Sequence, residues 1–203
     1  MDESKPYDVV LIPSDAIAAK SVALSETLAA RGSYFTLDNA NYFPHISLYM
    51  LQLDSSGLDK TREVLPQIAE ETQKVEGVVT DYKYINNYLE VDYAISPEFA
   101  FLQEQVVAKL NPLRSGLRDK EKARLTTSTG RERENILQYG YRWIGDLFNP
   151  HISFARFKDN QESCLVDLPP KETFAGKFSA IGIYEMGDHG TCAKEVGRYM
   201  LQS

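Results

Sequence analysis

Apolar positions recur along this chain at two periods, and the changes between them mark out the elements. Tyr7 to Ile12 is a short apolar run that predicts a first strand. Ile17, Val22, Leu24 and Leu28 then recur at helical spacing behind Ser14, a candidate cap, and Arg31-Gly32 closes that helix. Alternation with period two follows over about 44–53. Asp54 to Gly57 predicts a turn. A helix over about 58–74 carries Val64, Leu65, Ile68 and Ala69 on one side, with Pro66 expected to kink or interrupt it. Two strands, 77–85 and 88–95, meet at Asn86-Asn87, a pair suited to a tight turn at positive φ. Ser96-Pro97-Glu98 supplies a capping hydroxyl, a first-turn proline and an acid, and Phe99, Leu102, Val106 and Leu110 stripe the helix up to Pro112. A less regular stretch, 113–142, includes a predicted helix over 130–138. Alternation returns over 150–157, then a short helix or turn over 159–166 and strands over 174–186 and 194–201, with Gly187-Asp188-His189-Gly190 between the last two.

The two alternating stretches at 44–53 and 150–157 share a tetrapeptide. Pro44-His45-Ile46-Ser47 and Pro150-His151-Ile152-Ser153 are identical, and they hold two of the three histidines. In a half-buried strand, Ile46 and Leu48, and likewise Ile152 and Phe154, turn inward, so each copy presents a histidine and a serine on the opposite face. Proline suits the first position of a strand, where no ladder donor is needed. Continued alternation puts Tyr49 and Phe157 on the histidines' face. With Phe148 they are candidates for stacking on a base, against a competing role in the core. A connector and a hairpin follow each motif. The chain therefore reads as one α+β domain, 1–203, of two similar lobes related by approximate duplication. If the lobes face each other, the cleft between them holds His45, His151, Ser47 and Ser153.

Those groups suit phosphoryl chemistry. Histidine titrates near neutrality, so one ring can take a proton from an entering oxygen while the other gives one to the leaving oxygen. Serine hydroxyls can donate to the non-bridging oxygens, where charge sits. This pattern resembles the two-histidine (2H) phosphoesterase superfamily, which carries two H-x-S/T-hydrophobic motifs about a hundred residues apart in a chain of this size. The group includes bacterial 2′-5′ RNA ligase-like proteins and cyclic phosphodiesterases. The resemblance implies two antiparallel sheets with outer helices and a cleft between, a metal-independent reaction at a 2′,3′-cyclic phosphate or an RNA end, and a 2′-phosphate product.

Composition narrows the partners. The net charge of −7 makes the chain a poor binder of long nucleic acid duplexes, whose affinity comes largely from phosphate neutralisation. A nucleotide or an RNA end is the expected partner. The most basic segment, 114–142, reads equally as an arm that meets phosphates or as a solvated loop of mixed charge. Cys164 and Cys192 make neither a disulfide framework nor a zinc cluster. No HExxH motif, P-loop, G-x-G-x-x-G or G-x-S-x-G elbow occurs, so no metal and no cofactor is expected. With no signal-peptide pattern and no membrane-length apolar run, the expectation is a cytoplasmic monomer away from membranes. His189, in a glycine-rich turn, reads as an exposed loop residue, and Trp143 as packing. Two other readings stay open: a nucleotide-binding module without turnover, and a nuclease trimming RNA 3′ ends or 2′-5′ oligonucleotides.

Overall fold

The computed structural model describes residues 4–203. The strand β1 (Lys5–Pro13) leads into helix α1 (Asp15–Ala29), and β2 (Ile46–Leu53) carries the first motif onward. Helix α2 (Ser55–Glu70) is followed by β3 (Val75–Gly77), β4 (Val79–Ile85) and β5 (Tyr88–Tyr93). After α3 (Pro97–Leu110), the 113–142 stretch folds two helices, α4 (Asp119–Arg124) and α5 (Gly130–Tyr139). The second motif strand is β6 (His151–Arg156), and β7 (Gly176–Met186) and β8 (Cys192–Met200) complete the chain.

The strands form two antiparallel sheets, as expected. One runs β2-β1-β7-β3, with β8 also on β7; the other runs β4-β5-β6. The pairing exchanges hairpins between the halves of the chain. The β4–β5 hairpin follows the first motif but pairs with the second motif's strand, whereas β7 and β8 follow the second motif and join β1. Helix α1 crosses over in the same way, with Ser25 Oγ donating to the Phe154 carbonyl of β6 at 2.7 Å. Neither half of the sequence can build its sheet alone.

One hydrophobic core spans both sheets. Ile46, Leu48, Ile152 and Phe154 all point into it and are fully buried, each contributing roughly 1.5–3 kcal/mol by the burial of its side chain. Asn86 and Asn87 turn the β4–β5 hairpin with φ of 50° and 65°, and Ser96 caps α3 by accepting from Phe99 N.

Local expectations fail at two places, and at a third the helix is not interrupted. Ser14 precedes α1 but its hydroxyl makes no cap bond. The residues read as a turn, from Ser55, are the first turn of α2, capped by Asp54 accepting from Gly57 N. Pro66 lies inside α2 without ending it. Proline lacks the donor that would reach the Arg62 carbonyl one turn back, and the Tyr199 hydroxyl, from β8, donates to that carbonyl instead at 3.4 Å.

Candidate active site

The His-x-Ser motifs lie on neighbouring walls of a cleft of about 1080 Å³, lined by His45, Ser47, His151 and Ser153 together. Each ring is fixed in the same way. His45 Nδ1 lies 2.7 Å from the Phe43 carbonyl and His151 Nδ1 lies 2.8 Å from the Asn149 carbonyl. A carbonyl accepts only, so in each ring Nδ1 carries the hydrogen and Nε2 is left for proton transfer.

Each motif strand also breaks its alternation at the same point. The register of β2 against β1 shifts so that Ser47 pairs Val10 and Tyr49 pairs Val9, leaving Leu48 unpaired. On β6, Ser153 pairs Glu90 and Ala155 pairs Leu89, leaving Phe154 unpaired. An extra residue in one strand reverses the facing of everything after it. Tyr49 and Phe157 therefore turn inward, correcting the expectation that they share the histidines' face. Tyr49 is fully buried and its hydroxyl donates to Asn111 Oδ1 and the Tyr139 carbonyl. Phe157 is stacked on Tyr84 in the core. Phe148 reaches the cleft floor but is 4% exposed, so its ring has no open face either. None of the three offers a stacking surface. The same bulges turn Met50 and Arg156 into the cleft.

Sequence reasoning missed the carboxylates behind the motifs. Ser47 Oγ and Asp8 Oδ2 share a hydrogen bond of 2.6 Å, and His45 Nε2 is 3.7 Å from the same oxygen. Ser153 Oγ donates to Glu90 Oε1 at 3.1 Å, and His151 Nε2 is 3.6 Å from it. Both acids sit on the strand beside the motif strand, Asp8 on β1 and Glu90 on β5. The signal was an acid in the middle of an apolar run, Tyr7-Asp8-Val9 and Leu89-Glu90-Val91.

The two lobes differ in their electrostatics. Burial holds the His45 ring well below its ordinary range, at about 4, with the Phe43 carbonyl opposing and the charge of His151 reinforcing that shift. Burial pushes the Asp8 carboxyl up to about 7, against the Ser47 hydrogen bond and the positive charges of Arg118 and His151.

Part of the basic segment faces this site. Arg118, Lys120, Arg124 and Arg142 line the cleft. Glu121 binds both Arg118 and Arg124 at 2.9 Å and 2.5 Å, and Arg142 pairs with Glu132 while lying 4.3 Å over the Trp143 ring. Burial and these neighbouring guanidinium groups, with Arg156, draw the Lys120 amine below its usual range. Lys122, Arg131 and Arg133 are exposed and bound to other groups of the same segment or to Asp146. His189 is not a free loop residue. At φ 62° it reaches the cleft, its Nδ1 contacts the Arg156 guanidinium, and its ring packs 4.3 Å from Tyr34.

Two donor sets come close enough to compete for a cation: Asp8, His45 and Cys192, and Glu90, Asp92 and His151, with ligand atoms within 4.8 Å in each. Either would consume a histidine nitrogen. Burial also holds the Cys192 thiol well above its ordinary range, which opposes the thiolate a metal needs.

Two antiparallel sheets, outer helices and a cleft between them form a fold that recurs in solved structures. E. coli LigT has it: the complex with ATP superposes with a TM-score of 0.59 at 13% identity over 99% of each chain, and the complex with 3′-AMP with 0.58 at 12% over 99% of this chain and 100% of that one. A structure described as a phosphoesterase superposes with 0.61 at 11% identity, over 99% of this chain and 100% of the other. At these identities the likeness is one of fold. No family model matches the sequence, and no curated protein matches it. Among the described residues no helix is long and apolar enough to cross a membrane.

Proposed function

We propose that the protein is a 2H phosphoesterase hydrolysing a 2′,3′-cyclic phosphate, or another phosphodiester with a neighbouring ribose hydroxyl, at a nucleotide or an RNA end. The observation that carries this reading is the pair of His-x-Ser motifs in one cleft, each with Nδ1 held by a carbonyl and Nε2 left open. LigT structures hold phosphate, ATP and 3′-AMP in the same fold, which supports a nucleotide as the ligand.

His45 is the base in this reading, because its depressed pKa keeps the ring neutral. It takes a proton from water at Nε2 as the water oxygen bonds to phosphorus. His151 is the acid, because an imidazolium there has the Glu90 carboxylate beside it at 3.6 Å. It gives its Nε2 proton to the ribose 3′ oxygen as the P–O bond breaks, leaving a 2′-phosphate. Ser47, Ser153 and Arg156 meet the non-bridging oxygens. The chemistry needs no metal. We further infer a monomer acting in the cytoplasm.

The test is kcat/KM against pH on a 2′,3′-cyclic nucleotide for wild type, His45→Ala and His151→Ala. The wild type traces a bell whose acid limb follows His45 near pH 4 and whose alkaline limb follows loss of the general acid's proton. Each alanine costs on the order of 10²–10⁴ in kcat. Near wild-type turnover in either variant overturns paired acid–base catalysis, and a wild type that binds the nucleotide without turning it over makes the nucleotide-binding module the better reading.

A further inference from the structure

Asp8 is the one carboxylate at the centre of this site that has no access to water and almost nothing to neutralise it. It is 0% exposed, and its Oδ1 has no hydrogen-bond partner among the described residues. Its whole hydrogen bonding is the 2.6 Å contact between Oδ2 and Ser47 Oγ. An ionised carboxylate wants several donors on its two oxygens, and burying it with one leaves a charge unpaid for by contacts. A neutral carboxylic acid has one proton to place, and one acceptor at 2.6 Å places it.

The surroundings agree. On β2, His45 holds its Nδ1 hydrogen on the Phe43 carbonyl and so offers Asp8 no hydrogen from Nε2 while the ring is neutral. On β8, the Cys192 thiol is buried beside the carboxyl. On β7, the Tyr184 hydroxyl, whose strand position pairs with Asp8, donates instead to Glu195 Oε2 at 2.6 Å. Tyr141 and Arg118 face it from the 118–142 stretch, but the Arg118 guanidinium is bound to Glu121 Oε1 at 2.9 Å. From β6 only the charge of His151 reaches it.

We propose that Asp8 is a positioning residue: as a neutral carboxylic acid it donates its own proton to Ser47 Oγ and so turns the Ser47 hydroxyl hydrogen toward the substrate phosphate. A hydroxyl has one hydrogen and two lone pairs. If Asp8 is ionised, Ser47 must spend its hydrogen on Asp8, and the phosphate meets serine lone pairs with a carboxylate behind them. If Asp8 is protonated, Ser47 accepts from Asp8 and donates to phosphate. No covalent bond changes; one proton sits on Asp8 rather than in solvent. The proposal rests on the hydrolase reading for its phosphate, and it separates the lobes, since Ser153 stands beside Glu90 at a longer 3.1 Å. The upward displacement of the Asp8 carboxyl to about 7 is in keeping with it.

The experiment compares Asp8→Ala, Asp8→Asn, Ser47→Ala and the Asp8→Ala/Ser47→Ala double variant on a 2′,3′-cyclic nucleotide across pH, beside infrared difference spectra of the free protein. Asp8→Ala lowers kcat/KM on the order of 10²-fold, the usual loss of one such donor, and Ser47→Ala matches it. The double variant loses no more than either single one, because both remove the same donor. Asp8→Asn recovers most of the loss, since its amide N–H donates to Ser47 Oγ at every pH, and Asp8 no longer contributes to its alkaline limb, which the general acid alone then sets. The wild type shows a protonated-carboxyl C=O band at mildly acidic pH that fades toward alkaline pH and is missing from Asp8→Asn. If the wild type hydrolyses no cyclic phosphate, the hydrolase reading has failed, and the wild type and the four variants are compared on affinity for inorganic phosphate by calorimetry. The absence of the carboxyl band at mildly acidic pH, or an Asp8→Asn variant as impaired as Asp8→Ala, overturns the proposal.

Discussion

Replacing Asp8 by asparagine tests the electrostatics of the cleft without any substrate. The carboxyl moves from 3.8 to about 7 on folding, and at 1.36 kcal/mol per pH unit this amounts to about 4 kcal/mol. The sign follows from the direction. A raised pKa means that the folded state holds the proton more tightly, so this stabilisation is complete below pH 3.8 and is lost as pH rises through about 7. His45 works the other way. Its ring moves from 6.5 down to about 4, so its contribution is present above pH 6.5 and is lost as pH falls through about 4, by about 3 kcal/mol. In the wild type the two oppose each other between those limits and flatten the stability profile. Asp8→Asn removes one of them. Its stability relative to wild type should climb by about 4 kcal/mol between about pH 4 and about pH 7, on top of a constant offset from the substitution itself. Urea denaturation across that range measures the difference, with equal m-values showing that both chains unfold from equally compact states. A difference that varies by less than about 1 kcal/mol would mean that Asp8 titrates in the folded protein much as it does in the unfolded chain, and the buried neutral acid would have to be abandoned.

Arg156→Met copies onto β6 the residue that β2 carries at the matching position, Met50; it should raise KM by about 10- to 100-fold, as expected for losing a hydrogen bond to a charged group worth about 1.5–3 kcal/mol, while kcat changes less, and steady-state kinetics will show an unchanged KM if Arg156 meets no phosphate. Gly77→Ala puts a Cβ 2.6 Å from the Phe178 ring and 2.9 Å from that of Tyr93; it should cost about 1–3 kcal/mol by overpacking, read as a lower denaturation midpoint. Turnover should survive a chelator, since the proposed proton transfers run between two imidazoles and water; loss in EDTA restored by a divalent ion would redirect attention to the donor sets around His45 and His151.

The periodicity and the capping and turn residues specify local structure. Period-two alternation fixed both motif strands and the inward side of Ile46, Leu48, Ile152 and Phe154. Positive-φ asparagines fixed the β4–β5 turn, and Ser96-Pro97 fixed the start of α3. Those follow from contacts between residues a few positions apart. The tertiary structure decided the rest. Alternation cannot register an unpaired residue, because a bulge exists only against a partner strand, so Tyr49 and Phe157 were placed on the wrong face and Arg156 went unnoticed. Pro66 lies inside α2 without ending it, and the Tyr199 hydroxyl, far along the chain, reaches the Arg62 carbonyl that the proline leaves without its helical donor. The exchange of hairpins between lobes is likewise invisible in strand order, since antiparallel pairing needs only a complementary edge and not a neighbour in sequence. The carboxylates are the clearest case. Asp8 and Glu90 read as ordinary acids in apolar runs until pairing sets them behind Ser47 and Ser153, 39 and 63 residues away along the chain. There, burial decides what an aspartate is, and burial is a property of the packed chain rather than of the residue.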